Sequence, residues 1–122
     1  MLEESRTLLE NITTTTSASY SEKMKGAGYY KNGNGVHTVH YVVNAFLGTI
    51  TVQATLSQYP SNNDDDWVTV DTFAGDSTLY NQPNNNDSVD YDYSNTFTGK
   101  FVWVRIKYEL QNGTIRTIRY NY

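Results

Sequence analysis

Residues 49–56 read TITVQATL, and this stretch decides the fold class. Apolar residues at positions 50, 52, 54 and 56 alternate with polar residues at 49, 51, 53 and 55. A period of two is typical of a β-strand that buries one face and exposes the other. The preceding stretch 36–43, VHTVHYVV, is also rich in β-formers, and residues 46–48 (FLG) are predicted to bend between the two.

The rest of the chain indicates the same class. Among 122 residues there are sixteen Thr, thirteen Asn and eleven Tyr, which suit strands and turns rather than helices. A short strand is predicted for Trp67–Phe73, and a long, partly irregular connection for residues 74–95, with weak pairing within 87–94. The pattern predicts an all-β, antiparallel β-sandwich with a jelly-roll-like topology, and an open barrel is the alternative.

The C-terminal third is predicted to be a β-hairpin. Residues 101–110 and 114–122 alternate in polarity on either side of Gln111-Asn112-Gly113. A two-residue turn would mix apolar and charged faces, whereas a three-residue loop with Gly113 in the left-handed conformation pairs Ile106 with Ile118. We therefore expect the three-residue loop.

The N-terminal stretch is interpreted as an arm. Residues 1–12 are the one segment predicted to form a helix, and the apolar side of that helix would present Leu2, Leu8, Leu9 and Ile12. A dozen residues do not hold a helix alone in water, so the segment is expected either to dock on another surface through these four side chains, which are the interface candidates, or to stay mobile. The division is an N-terminal arm over residues 1–20 and a single β-sandwich domain over residues 21–122.

Composition excludes several function classes. The formal net charge is −4, from nine Lys and Arg against thirteen Asp and Glu, whereas nucleic-acid binding needs a basic surface. The chain has no Cys, and no apolar stretch approaches the length of a membrane span. No nucleophile and base lie at motif spacing, and no glycine-rich phosphate loop precedes a helix. We expect a protein that is not an enzyme, with no cofactor and no nucleic-acid or membrane partner.

Two clusters contain side chains that could bind a metal ion. His37 and His40 lie three apart, which places them on opposite faces of a strand, so one is expected to be hydrogen-bonded inside and the other in solvent. Asp64–Asp66 follow two Asn and offer oxygen ligands for calcium, but their spacing differs from a calcium-binding loop. The favoured interpretation is a solvated turn in which Asp66 or a neighbour accepts from backbone N–H groups.

Aromatic residues are the remaining candidates for a binding surface. Such a platform could stack a sugar ring, and the residues considered for it are Trp67, Trp103, Tyr29, Tyr30 and the tyrosines of residues 80–93. Both Trp residues are predicted to be core side chains, because a small sandwich needs large residues inside. Tyr80, Tyr91 and Tyr93 are predicted to form an interface, since Tyr in a polar loop often marks one.

Four segments carry a resemblance to a known family. They are GAGYYKNGNGVHTVHYVV (26–43), FLGTITVQATLSQYPSNNDDDW (46–67), FTGKFVWVRIKYEL (97–110) and NGTIRTIRYNY (112–122). Over residues 25–122 the chain resembles small structural proteins of tailed bacteriophages, especially T4-like myoviruses of cyanobacteria. This resemblance implies a virion component of the tail, baseplate or head surface, present in many copies or as a homo-oligomer and assembled with other virion proteins.

Two functions follow as hypotheses. The first is a non-enzymatic virion structural protein that assembles through strand edges, exposed aromatic residues and the N-terminal arm. The alternative is a carbohydrate-binding β-sandwich module for host or glycan attachment. A small hydrolase was also considered, but no motif supports it.

Overall fold

The computed structural model describes residues 6–26, 28, 35–75 and 91–121, and seven β-strands account for most of them. The strands are β1 (Arg6–Ile12), β2 (Thr16–Tyr20), β3 (Met24–Lys25), β4 (Val36–Thr55), β5 (Val68–Gly75), β6 (Tyr91–Thr98) and β7 (Trp103–Asn121). A 3₁₀ turn, Asp64–Asp66, precedes β5. In the described part of the chain no helix is long and apolar enough to cross a membrane.

Strands β4 and β7 are long, and both bend midway. In β4 the register shifts between Asn44 and Gly48, where Ala45 has a φ of 48°. Opposite this point in β7 lies Gly113, with a φ of 85°, and a Cβ added there would meet the Ala45 carbonyl oxygen at 2.2 Å. Only glycine combines this conformation with so close a backbone approach, so the two bends fit into one another.

The bends divide the sheet into two halves that pack face to face. In the first half, residues 36–44 of β4 lie between β6 and residues 114–121 of β7, and β1 pairs with the outer side of β7. In the second half, residues 48–55 of β4 lie between β5 and residues 103–110 of β7, with β2 and β3 beyond. All pairs are antiparallel. The predicted antiparallel, jelly-roll-like β-sandwich is therefore confirmed.

The core lies between the two halves and is filled by alternate residues of β4 and β7. Tyr41 of the first half stacks on Phe73 of the second, with ring centroids 5.2 Å apart. The alternation predicted for residues 49–56 correctly places Ile50, Val52 and Ala54 in the core, where they are fully buried. The other face is not exposed throughout as predicted, because Gln53 and Thr55 are each only 5% exposed, and Gln53 accepts a hydrogen bond from the buried Arg105. Leu56 lies beyond the end of β4 and is exposed.

The helix predicted for residues 1–12 is wrong over residues 6–12, which form strand β1. The register of β1 against β7 shifts between Thr7 and Leu9, and this irregularity lets the adjacent Leu8 and Leu9 both enter the core. Strands β1 and β2 both pair with β7, so the described part of the predicted arm is hydrogen-bonded to the rest of the sheet. The domain boundary at residue 20 stays a prediction.

The C-terminal hairpin is also wrong, because Gln111, Asn112 and Gly113 continue β7 instead of reversing it. Ile106 pairs with Val52 rather than with Ile118, and Ile118 pairs with Tyr41 and Leu9. The predicted strand in residues 67–73 is confirmed as β5, which begins one residue later and ends two residues later, at Gly75. The weak pairing predicted within residues 87–94 is seen for residues 91–94, in β6, while residues 76–90 lie outside the described part.

Candidate ligand-binding surface

Arg105 is a buried cation at the centre of one surface of the second half. Its guanidinium carbon lies 4.4 Å from the ring centroid of Tyr20 and 4.3 Å from that of Trp67. Its side chain is 3% exposed. A planar guanidinium in contact with two aromatic rings gains cation–π and packing energy that a lysine ammonium would not match.

The donors of Arg105 reach three acceptors. Nε donates to the Gln53 side-chain oxygen at 2.8 Å, one terminal nitrogen to the Asn62 carbonyl at 3.2 Å, and the other to Asp64 Oδ1 at 2.9 Å. Burial lowers the pKa of Arg105, and the carboxylate of Asp64 opposes that effect. The buried cation is thus paired and hydrogen-bonded, as a desolvated charge must be.

Asp64 also pairs with a second cation of β7, Lys107. Lys107 Nζ donates to Asp64 Oδ2 at 2.7 Å, and the Tyr20 hydroxyl donates to Oδ1 at 3.0 Å. The hydrogen bond from Lys107 lowers the pKa of Asp64, and the bond to Asp64 raises the pKa of Lys107. One carboxylate of the polar loop (residues 57–66) is therefore fixed to β2 and β7.

Further hydrogen bonds hold the polar loop against the sheet. The Trp67 indole N–H donates to the Ser61 carbonyl at 2.9 Å, and the Ser61 N–H donates to Asp66 Oδ2 at 2.8 Å. The Trp103 indole N–H donates to the Gln58 carbonyl at 3.0 Å. The Asp66 bond confirms the predicted turn. In the described residues no three His, Asp or Glu side chains come together as they would around a metal ion.

The polar loop, Lys23 just before β3 and the start of β7 line an open groove of about 660 Å³, here called the Trp103 groove. Its lining includes Lys23, Gln58, Tyr59, Pro60, Val102 and Trp103. Tyr59 is 90% exposed, while Trp103 is half-buried. The Lys23 ammonium lies 5.0 Å from the centroid of the Trp103 ring. A second groove, of about 600 Å³, shares Lys23 and Trp103 and extends past Glu22 and Asn62 towards Arg105.

The predictions for the two Trp residues have opposite outcomes. Trp67 is 7% exposed, which confirms its core assignment. Trp103 was also predicted to be a core residue, and this is wrong, because its ring lines the groove beside Lys23. It lies at the first position of β7, where the strand has only the two-residue β3 on its outer side. Tyr29 and Tyr30 lie outside the described residues.

The predicted interface residues do not form one surface. Leu8 and Leu9 are buried in this chain's own core, and Ile12 packs against it. Tyr91 and Tyr93, 37% and 39% exposed, cover Phe73 with ring centroids 6.1 and 5.3 Å away. Leu2 and Tyr80 lie outside the described residues. An interface role for any of these residues stays a prediction.

The histidine prediction is confirmed. His37 is fully buried, and its Nε2–H donates to the Gly99 carbonyl at 2.5 Å, which leaves Nδ1 to accept from the Tyr120 hydroxyl at 2.6 Å. Desolvation lowers the pKa of His37. His40 is on the opposite face, 44% exposed, with Nε2 3.6 Å from Asp92.

Sequence reasoning missed Lys23, Gln58 and Tyr59. Tyr59 carried a usable signal, because a large aromatic residue beside Pro60 in a polar loop has no strand through which to reach the core. Lys23 carried none, since its place depends on how β3 pairs with the start of β7. Arg105 was missed as well, because a basic residue that alternates with apolar residues along a strand is typical of a solvent-facing side chain, whereas Arg105 is buried.

Comparison with known proteins finds similarity in structure and none in sequence. No protein-family model matches the chain, and no curated protein matches it in sequence. In structure it is similar to the carbohydrate-binding module CBM6cm-2 of Cellvibrio mixtus lichenase 5A in complex with cellotriose. The TM-score is 0.54 at 11% identity, over 98% of this chain and 86% of that one. This likeness shows the fold alone.

A second solved structure is the C-terminal CBM6 of LamC, a marine laminarinase from Zobellia galactanivorans. It covers 98% of this chain and 91% of its own, with 12% identity and a TM-score of 0.47.

Proposed function

We propose that this chain is a non-catalytic carbohydrate-binding module and that the Trp103 groove holds the saccharide. One observation carries the proposal: an open groove places the half-buried ring of Trp103 and the exposed ring of Tyr59 on one surface. Aromatic faces are the surfaces on which the apolar faces of sugar rings stack. An exposed Tyr beside a Trp in a groove of this size is typical of a small-molecule site.

The groove also supplies polar groups for sugar hydroxyls. Gln58 and Lys23 lie along its wall, and Asn62 lines the adjoining groove. Because Gln58 and Asn62 belong to the polar loop, which Arg105, Trp67 and Trp103 fasten to the sheet, these groups are held in place before a ligand arrives. Prior ordering of this kind lowers the entropic cost of binding.

The fold comparison supports the proposal by analogy. The Cellvibrio mixtus module has a similar sandwich, and its structure was solved with cellotriose. A shared fold does not determine a shared function, so the groove and not the likeness carries the argument.

Isothermal titration of the purified chain with neutral and charged oligosaccharides tests the proposal. Trp103→Ala and Tyr59→Ala are each expected to weaken binding by about tenfold, as the loss of one stacking ring does. Tyr91→Ala is the matched control, because it removes a half-exposed aromatic residue from another part of the surface. Circular dichroism checks that each variant folds.

Two results would count against the proposal. Loss of binding in Tyr91→Ala with retention in Trp103→Ala would move the site to the other aromatic surface. No binding to any oligosaccharide would overturn the function. The virion role implied by the family resemblance stays a prediction, and it is compatible with glycan binding, since a virion surface protein can also attach to sugars.

A further inference from the structure

The charge of the Trp103 groove is unlike that of the chain as a whole. The net charge is −4, yet among the described residues that line this groove Lys23 alone is charged. The carboxylate of Glu22, the next residue, lines the adjoining groove instead. A ligand in the Trp103 groove therefore meets one positive charge and, among these lining residues, no negative one.

Lys23 differs from the two cations that contact Asp64. Arg105 and Lys107 are both paired with Asp64, at 2.9 and 2.7 Å. The structure gives Lys23 no carboxylate partner among the described residues, and its ammonium lies over the Trp103 ring, 5.0 Å from the centroid. An ammonium on a flexible four-carbon stem can leave that ring and keep its charge near the groove.

We propose that the Trp103 groove is selective for anionic saccharides, in which a sugar ring carries a carboxylate or a sulfate ester. This inference rests on the proposed function. A sugar ring that stacks on Trp103 displaces the Lys23 ammonium from the indole, which costs a cation–π contact. An anionic substituent on that ring regains the loss through a charge-assisted hydrogen bond with the displaced ammonium, whereas a neutral sugar does not.

The overall negative charge of the chain does not favour an anionic ligand. A chain with net charge −4 repels polyanions at long range, so any preference for an anionic saccharide has to come from a group at the site itself. Exposed charge pairs are screened by salt, so affinity for the anionic ligand is expected to fall as ionic strength rises.

The test uses three trisaccharides with the whole chain: trigalacturonate, a sulfated galactan trisaccharide and neutral cellotriose. Titrations at low and high salt are expected to show at least one anionic ligand bound about three- to tenfold more tightly than cellotriose. Lys23→Met keeps the aliphatic stem and is expected to abolish that preference. Arg119→Met, an exposed cation in the other half of β7, removes the same charge and is expected to leave the preference intact.

The outcomes separate this inference from the proposed function. Preference lost in Lys23→Met but kept in Arg119→Met supports the inference, and comparing the two anionic ligands tells carboxylate from sulfate recognition. Equal or tighter binding of cellotriose, still dependent on Trp103, overturns the inference and leaves the module's function standing. An equal loss in both Met variants also overturns it, because the effect would then follow net charge. No binding of any ligand overturns both.

Discussion

Each half of the sandwich buries one polar side chain between aromatic rings. In the first half the His37 ring is stacked between Phe97, with centroids 4.7 Å apart, and Tyr120, at 5.7 Å. In the second half the Arg105 guanidinium lies between Tyr20 and Trp67, at 4.4 and 4.3 Å. Both side chains use their hydrogen-bonding groups, yet one is neutral and the other is charged.

The difference shows how the two halves divide their roles. His37 bonds to Tyr120 and to the Gly99 carbonyl, so its contacts tie β4 to β7 and to the turn after β6. Arg105 bonds to Asn62 and Asp64, which belong to the polar loop beside the Trp103 groove. The neutral His37 joins two strands and a turn within the core, whereas the charged Arg105 holds the polar loop against the sheet.

Replacing Arg105 by Met is expected to have the largest effect. The substitution keeps an apolar stem between the rings but removes the bonds to Gln53, Asn62 and Asp64. Charge-assisted bonds of this kind contribute about 1.5–3 kcal/mol each, and a net loss of about 3 kcal/mol is expected once relaxation is included. Thermal unfolding should show a melting temperature lower by about 10 °C.

Arg119→Met is the control for this comparison, because Arg119 is exposed on the same strand. It is expected to change the melting temperature by at most about 2 °C. If Arg105→Met were as stable as Arg119→Met, the guanidinium would not fasten the loop. Saccharide binding should weaken in Arg105→Met even at temperatures where the sheet is intact, because Gln58 and Tyr59 lie on the released loop.

Replacing His37 by Phe is expected to have the next largest effect. Phe keeps the stacked ring but removes the hydrogen bonds that His37 makes with the Tyr120 hydroxyl and the Gly99 carbonyl. A hydrogen bond contributes about 0.5–1.5 kcal/mol, so chemical denaturation should show a loss of about 2 kcal/mol for the two bonds. His40→Gln, on the exposed face, is the control. A loss in His37→Phe no larger than in the control would show that packing alone holds this centre.

Much of the fold could be predicted from the sequence, because alternation reports burial directly. The burial of Ile50, Val52 and Ala54 and the opposite faces of His37 and His40 needed only the period of two, whereas the burial of Gln53 and Thr55 on the polar face did not follow from it. The hairpin could not be predicted correctly, since Asn112-Gly113 is a strong turn signal on its own. In the folded chain β7 instead continues through Gly113 and bends where this residue contacts Ala45. The two residues are about seventy positions apart in the sequence, so a rule based on neighbouring residues cannot predict their contact.

The site was less predictable than the fold for the same reason. Arg105 and Asp64 are separated by 41 residues, and their pairing depends on how the polar loop returns over β7. Trp103 was expected in the core because its strand is central, but the strand's first residue lies where its outer neighbour β3 has only two residues. The burial of a side chain at the end of a strand depends on the neighbouring loops rather than on the alternation along the strand.

The pH dependence of stability distinguishes the neutral His37 from the charged pair of Arg105 and Asp64. Desolvation lowers the pKa of His37 below its ordinary value of 6.5, so the unfolded state binds more protons than the folded state. This contribution is present above pH 6.5 and is lost as pH falls towards the lowered value, by up to about 1.4 kcal/mol per pH unit. Denaturation at pH 7.5 and 5.0 should show the loss in the wild type and in His40→Gln, but not in His37→Phe. An unchanged slope in His37→Phe would assign the titration to another group.

The smallest effect is expected for Asp64→Asn. Asn keeps a side-chain oxygen that can accept the hydrogen bond from Arg105, and solvent screens the pairs that the half-exposed Asp64 carboxylate makes with Arg105 and Lys107, so a small loss of stability is expected at neutral pH. The hydrogen bond from Lys107 lowers the pKa of Asp64 below 3.8. Its contribution is therefore present above pH 3.8 and is lost as pH falls through the lowered value.

The melting temperatures of wild type and Asp64→Asn should differ at pH 7 and converge at the most acid pH the fold tolerates, and added salt should reduce the difference at pH 7. Asp65→Asn, the exposed neighbour, is the control and should match the wild type throughout. The contribution of Asp64 to the stability of the second half is then lost below pH 3.8, and that of His37 to the first half is lost below pH 6.5. The two halves therefore respond to acid in separate pH ranges. A difference between wild type and Asp64→Asn that stayed constant down to acid pH would show that Asp64 acts through the shape of the loop and not through its charge.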